Sequence, residues 1–371
     1  MLLEKIFFMK PIDIFSDLVK ISSSSHDHIG IDKLSGHIES LFPDKYFVKN
    51  YFTKTNSPKA LYIESKLIVD DKSKLLISGH LDTVFPLSES PFKIENECIY
   101  GSGSNDMKGG LAAAISAILQ SLNERNNISN IGFFLNPDEE LGTNLYRDEL
   151  KQIASKYDYA IVLEGAGDEG ELCDSRRGIV TFEIDFVGKE GHSGHFTGIY
   201  PNAIKTTSEY IEFISQLQDR ENGITINFGQ ISGGVAQNVV AGHCKLIGEV
   251  RFKNKTQLDL FKEKTSFFFS TIEFKPLVVI GEGFPAMEVN LKSQKLKKII
   301  SDAFEKNNLS IPIFHHRNSA SDANFLSEIG LGVIDGFGTI GWGVHTKKEK
   351  SLISSLDIAI RRISALIECF Q

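Results

Sequence analysis

GSGSNDMKGGLAAAISAILQSL, residues 101–122, followed by IGFFLN over residues 131–136, decides the fold class. A glycine-rich loop opens an alanine-rich run with apolar residues at helical spacing, which predicts a helix over 107–122. The short apolar run after it predicts a strand over 131–136. Working outward, 60–65 and 74–78 read as strands, 139–154 as a helix and 158–163 as a further strand. This alternation predicts an α/β domain with a mostly parallel central sheet flanked by helices. From Gly178 the pattern changes. IVTFEIDFV over 179–187 alternates strictly, 202–218 reads as a helix, and 224–231 and 245–252 alternate again. A second helix over 256–269 and a strand over 274–280 precede GEGFP (281–285), which reads as a linker. Beyond it, 294–307, 311–314, 321–329, 331–334 and 352–370 resume the α/β alternation. The economical division is a discontinuous catalytic domain, 1–177 and 284–371, interrupted by an α+β domain over 178–283.

Composition agrees with two domains, since 371 residues exceed the size at which one core stops growing. With 41% hydrophobic and 24% charged residues, disorder and fibrous structure are excluded. Forty Lys+Arg against 48 Asp+Glu leave a net charge of −8, which repels polyphosphate and argues against a nucleic-acid partner. Cys98, Cys173, Cys244 and Cys369 form no CxxC pair, so neither a disulfide framework nor a thiolate zinc site is indicated, and a reducing cytoplasm fits. The apolar patch Ile6, Phe7, Phe8 lies between Lys5 and Lys10 with no cleavage site after it, which argues against a signal peptide. The rest of the chain holds no apolar run of about 18 residues, so a soluble protein without a membrane partner is expected.

Chemistry is expected where strands end and loops begin. His80 and Asp82 follow the strand over 74–78 and lie two residues apart, on one side of an extended chain. Asp106 stands in the glycine-rich loop before the helix, where it serves either as a cap or as a ligand; the flanking glycines let the backbone approach something closely. Glu139 and Glu140 follow the strand over 131–136 and read either as a solvated helix start or as a functional pair. Glu164 ends the strand over 158–163, and His345 ends the glycine-rich run from Gly336. Each signal alone is weak. Together they place two imidazoles and several carboxylates beside loops of one α/β domain, an inventory suited to a pair of hard-to-borderline cations.

The ordered motifs HxD, GSxxDMKGG, DEE, LE and a late His resemble the M20 family of zinc metallopeptidases and acylases. Among its branches the chain looks most like carboxypeptidase G2, with the acetylornithine deacetylases and succinyl-diaminopimelate desuccinylases close behind. The resemblance spans about residue 15 to the C-terminus. It implies two Zn²⁺ per subunit, replaceable by Co²⁺ or Mn²⁺, with His80 and Glu164 on one, Glu140 and His345 on the other, and Asp106 bridging. Asp82 matches the acid that orients the ligating imidazole, and Glu139 matches the general base. Two dications with three ligating carboxylates leave a charge of +1, which favours a metal-activated hydroxide. The inserted domain would be a dimerisation or lid domain, with His192 reaching the active site of a partner subunit in a homodimer. Otherwise His192 is a turn histidine. His195 has no counterpart.

Asn238 resembles the polar residue that reads the substrate. Arg251 suits bidentate capture of a free carboxylate, unless Glu249 or Glu183 holds it in a salt bridge. Asp322 reads as a helix N-terminal acid, and His315 and His316 either line the substrate pocket or simply lie at a strand end, the latter being preferred. The expected activity is hydrolysis of an amide that releases a C-terminal amino acid or cleaves an N-acyl amino acid. A desuccinylase- or deacetylase-type deacylase is the alternative, which Arg176-Arg177-Gly178 keeps open. A non-catalytic binding protein of the same fold is the rival from another class, against which stands the full set of His80, Asp106, Glu139, Glu140, Glu164 and His345.

Overall fold

The computed structural model describes residues 9–195, 201–281 and 283–371. Two compact units emerge, one of Met1–Ser175, Val289–Arg317 and Ser321–Gln371, the other of Arg176–Glu288 and Asn318–Ala320. The second extends a little past the boundaries expected at 178 and 283. Antiparallel bridges between Arg176 and Met287 and between Ile179 and Phe284 zip its entering and leaving segments together.

In the first unit a six-stranded sheet has the order Phe47–Phe52, Ala60–Ser65, Ile131–Asn136, Leu75–His80, Tyr159–Val162 and Gly332–Ile334. The first two junctions are antiparallel and the last three parallel, so only Ala60–Ser65 runs against the other strands. Every residue of Leu75–His80 and Ile131–Asn136 is buried, as parallel strands covered on both faces require. Pairing of His80 with Asn136 and of Ser78 with Val162 brings the carboxyl ends of three strands to one rim of the sheet. Helix Gly109–Arg125 packs against the C-terminal helix Ile353–Glu368, and Leu291–Lys306 packs against the strand Gly332–Ile334.

Three elements differ from expectation. The helix expected over 139–154 is broken into a short 3-10 turn, Glu139–Leu141, and the helix Arg147–Ala154. Between them Gly142 and Thr143 take left-handed conformations (φ 93° and 53°) that no helix can contain. The helix expected from 107 begins at Gly109, after a wider five-residue turn, Ser104–Lys108. The strand expected over 311–314 lies at Phe314–Arg317, because Pro312 has no N–H to give to a ladder. Helices Pro11–Lys20 and His28–Ser40 and the strand Phe47–Phe52 were not anticipated.

The second unit has a four-stranded antiparallel sheet in the order Thr225–Gly233, His243–Phe252, Gly178–Val187 and Leu277–Ile280, with helices Ala203–Ser215 and Lys255–Thr271. Burial alternates along Gly178–Val187, placing Phe182, Ile184 and Phe186 in a core with Tyr210, Phe261 and Phe268. No helix among the described residues is long and apolar enough to cross a membrane.

Candidate metal centre

His80 ends its strand with a buried imidazole, 1% exposed, whose Nε2 stands 3.0 Å from Asp106 Oδ1 and 3.8 Å from Glu164 Oε1. Its Nδ1 lies 2.9 Å from the main-chain oxygen of Asp82. A proton placed on Nδ1 satisfies that carbonyl and leaves the Nε2 lone pair facing the acids, the arrangement of a ligating histidine. Residue 82 thus orients the ring chiefly through its backbone, for its carboxylate is 3.5 Å from Nδ1. That carboxylate, wholly buried, accepts instead from Glu139 N–H (3.1 Å), Glu140 N–H (3.2 Å) and the Ser25 hydroxyl (2.9 Å). It pins the short turn that presents the two glutamates.

Asp106 sits in the Ser104–Lys108 turn. Its second oxygen, Oδ2, is 3.2 Å from His345 Nε2, and the same nitrogen is 3.1 Å from Glu140 Oε2. One carboxylate therefore faces two imidazoles, one with each oxygen. His345 has a left-handed backbone (φ 58°), a conformation costing a non-glycine residue about 1–3 kcal/mol and typical of functional placement. Glu164 follows the strand Tyr159–Val162, and helix Gly109–Arg125 starts directly against it: a Cβ on Gly110 would stand 2.2 Å from the Leu163 carbonyl oxygen. The glycines of the loop serve this close approach.

Burial works against a charge on His80, but Asp106 and Asp82 more than reverse it and its pKa stands well above the ordinary value. The hydrogen bonds of His345 to Asp106 and Glu140 raise its own pKa to about 10. Burial of Asp106 is likewise outweighed, here by hydrogen bonds from His345 and His80 that hold its pKa far below the carboxylate range. Glu139 and Glu140 move the opposite way, both raised chiefly by burial; His80 beside Glu139 and His345 beside Glu140 pull the other way without cancelling it, and neighbouring acids add to the rise. More negative charge converges here than two imidazoles neutralise. The potential ligand atoms of His80, Asp106 and Glu140 lie within 4.8 Å of one another, as do those of His80, Glu139 and Glu164. Nitrogen and oxygen donors at that spacing fit borderline divalent ions.

The remaining predicted residues belong to the second unit. His192 is exposed, its Nδ1 accepts from Gly194 N–H at 3.1 Å, and its ring centroid is 5.1 Å from that of His195. Asn238 is its neighbour through the Ser193 N–H to Asn238 carbonyl bond. Arg251 makes the salt bridge that was the rival reading, with Nε 2.8 Å from Glu249 Oε1, and Nη1 reaches the Asn318 carbonyl at 3.4 Å. Back in the first unit, His315 and His316 lie within an exposed strand. Asp322 is indeed the first residue of a helix, yet it is buried and accepts from Asn136 Nδ2 and Thr143 Oγ1, which tethers the 139–143 turn from behind.

Sequence reasoning missed Glu349. It lies in the run TKKEK, which reads as solvated charge, but it is 5% exposed and burial pushes its pKa up to about 7.

The profile of peptidase family M20/M25/M40 matches residues 76–368. The chain is 25% identical to a succinyl-diaminopimelate desuccinylase of Helicobacter pylori strain P12, over 97% of this chain and 99% of that protein. Its fold resembles aminopeptidase PepT from Bacillus cereus ATCC 10987, with a TM-score of 0.77 at 21% identity over 97% of this chain and 98% of the other. It also resembles the YXEP protein of Bacillus subtilis, a dinuclear metal-binding peptidase of the M20 family, with a TM-score of 0.67 at 13% identity and 98% coverage of each chain. The matched segment takes in the whole cluster from His80 to His345, and the chain belongs to peptidase family M20/M25/M40, hydrolases of amide bonds.

Proposed function

We propose that the centre holds two divalent ions, zinc by donor type, and that the protein hydrolyses an amide bond next to a free carboxylate, releasing a C-terminal amino acid or cleaving an N-acyl amino acid. The observation that carries this reading is Asp106, whose two oxygens face two imidazoles at 3.0 and 3.2 Å. In this assignment Asp106 bridges, His80 and Glu164 serve one ion, and Glu140 and His345 serve the other. The ions would supply Lewis-acid chemistry, making a water reactive near neutral pH and offsetting charge on the carbonyl oxygen. Glu139 takes a proton from the attacking water, a task its raised basicity supports, and delivers it to the amine nitrogen as the C–N bond breaks. The water oxygen stays on the acyl carbon as the new carboxylate.

Arg251 and Asn238 are assigned to the substrate's free carboxylate; the Arg251 guanidinium is already immobilised by Glu249. The second unit is assigned to homodimerisation, supported by its edge strand Thr225–Gly233, exposed over its C-terminal residues, with His192 completing the partner's site. A deacylase of the desuccinylase type is the second reading, favoured by the relative that matches along nearly the full length.

Metal analysis tests the centre: two equivalents are expected, and Asp106→Ala loses both because it serves both. Full occupancy in that variant would sink the bridging assignment. A panel of dipeptides and N-acyl amino acids, each with a free or amidated C-terminus, then separates the substrate readings.

A further inference from the structure

Glu349 follows His345 by four residues, and each of its carboxylate's hydrogen-bond partners is a main-chain N–H of the loop that carries Asp106. Oε2 accepts from Gly103 at 2.9 Å, and Oε1 accepts from Asn105 at 2.7 Å and from Asp106 itself at 2.9 Å. Converging N–H groups of this kind normally form a cradle for a bound anion. Here the anion is the protein's own, so the side chain fixes the loop that surrounds it. The loop is closed on the other side by Lys108 N–H, which donates to the Gly103 carbonyl at 2.7 Å. The main chain of residue 349 is tied to both ends of the site as well. Its carbonyl accepts from Gly101 N–H, and its N–H donates to the carbonyl of Thr346, next to His345.

With its N–H anchored, Asp106 has a fixed origin from which one oxygen reaches His80 and the other His345. We infer that Glu349 is a positioning residue: acting through the backbone of 103–106, and not as a ligand, it sets the reach of Asp106 to both metal positions. This inference rests on the reading of Asp106 as the bridging ligand. Glutamine is a sharp probe because all three partners are donors. Whichever oxygen the amide nitrogen replaces, it meets an N–H and the loop must shift.

The experiment strips the full-length protein with chelator and titrates it with cobalt(II), following visible absorption and heat, for wild type, Glu349→Gln and Glu349→Asp. Thermal unfolding of each metal-free form is recorded alongside. Wild type is expected to take up two cobalt equivalents. Glu349→Gln should bind cobalt at least ten-fold more weakly and with altered absorption bands that persist at saturation, while Glu349→Asp, shorter but still charged, lies between. A purely structural role would lower the unfolding midpoint and leave the bands and affinity of the folded protein unchanged, and that result overturns the inference. Failure of both variants to fold overturns it too, by making Glu349 a folding element. If wild type itself takes up no cobalt pair, the dinuclear reading falls and this inference with it. A normal wild-type pair with an unaffected Glu349→Gln variant sinks the positioning role alone.

Discussion

Asp82→Asn keeps the volume of a wholly buried side chain and removes its charge. Oδ1 accepts one bond, from Glu139 N–H, whereas Oδ2 accepts two, from Glu140 N–H and the Ser25 hydroxyl. The amide nitrogen therefore does least harm in the place of Oδ1, where it faces the Glu139 N–H. That N–H is then buried without an acceptor, a loss of about 1–3 kcal/mol, and the two surviving bonds become neutral ones, each weaker by about 1 kcal/mol. The sum is about 3–5 kcal/mol. Ser25→Ala is the control, since it removes one donor, leaves both N–H groups bonded and should cost about 2 kcal/mol, the value of one hydrogen bond to a charged group. Urea unfolding of the metal-free proteins, followed by far-UV circular dichroism, reads the difference. Cobalt titration reads whether the Glu139–Leu141 turn has moved. The group orphaned belongs to the proposed base, so kcat falls as well. If Asp82→Asn costs no more than Ser25→Ala and binds cobalt normally, the Asp82 carboxylate does not hold the turn and the reasoning is refuted.

Glu139→Gln should retain metal yet lose about 10² or more in kcat, whereas Glu140→Gln should lose metal affinity; metal content and turnover measured on the same samples separate the two. Amidating the substrate's C-terminus should lower kcat/KM by about 10² or more if a bidentate pair with Arg251 is lost, and equal cleavage of both forms would move the reading to an aminopeptidase. Mixing inactive His192→Ala with inactive Glu139→Gln under subunit exchange should restore partial activity, because one site of the heterodimer is intact. Silence despite demonstrated exchange would remove His192 from the partner's site.

Much of this architecture was legible because its strongest signals are local. The strands at 60–65 and 131–136 appear at their expected positions, the second as an unbroken apolar run buried on both faces. Local signals fail where contacts are distant. Helix Pro11–Lys20 has no side-chain cap at Lys10 to announce it. The turn after Glu139 follows from backbone conformations at Gly142 and Thr143 and from anchoring by Asp82 and Asp322, none of which has a sequence period. The convergence of His80, Asp106, Glu140, Glu164 and His345 was readable because few uses explain imidazoles and acids at successive strand ends. Glu349 was not, since its three partners lie more than 240 residues upstream and its neighbours are lysines. Arg251 is a residue whose chemistry the sequence suggests but whose partner it leaves open: its Nε pairs with Glu249 two residues away in the same strand.

The first unit closes only with late chain: the strand Gly332–Ile334 and His345 both follow the second unit. On the ribosome, the Arg176–Glu288 stretch emerges nearly whole and can acquire its own core while the six-stranded sheet of the first unit still lacks an edge. His80, Asp106, Glu140 and Glu164 are synthesised before it, so for about half of translation the nascent chain displays the three acids assigned to the proposed metal pair without the imidazole assigned to the second position. On the proposed assignment, metal loading is timed to the end of synthesis, and the interval before His345 appears is when an ill-suited ion would meet the least selective form of the site.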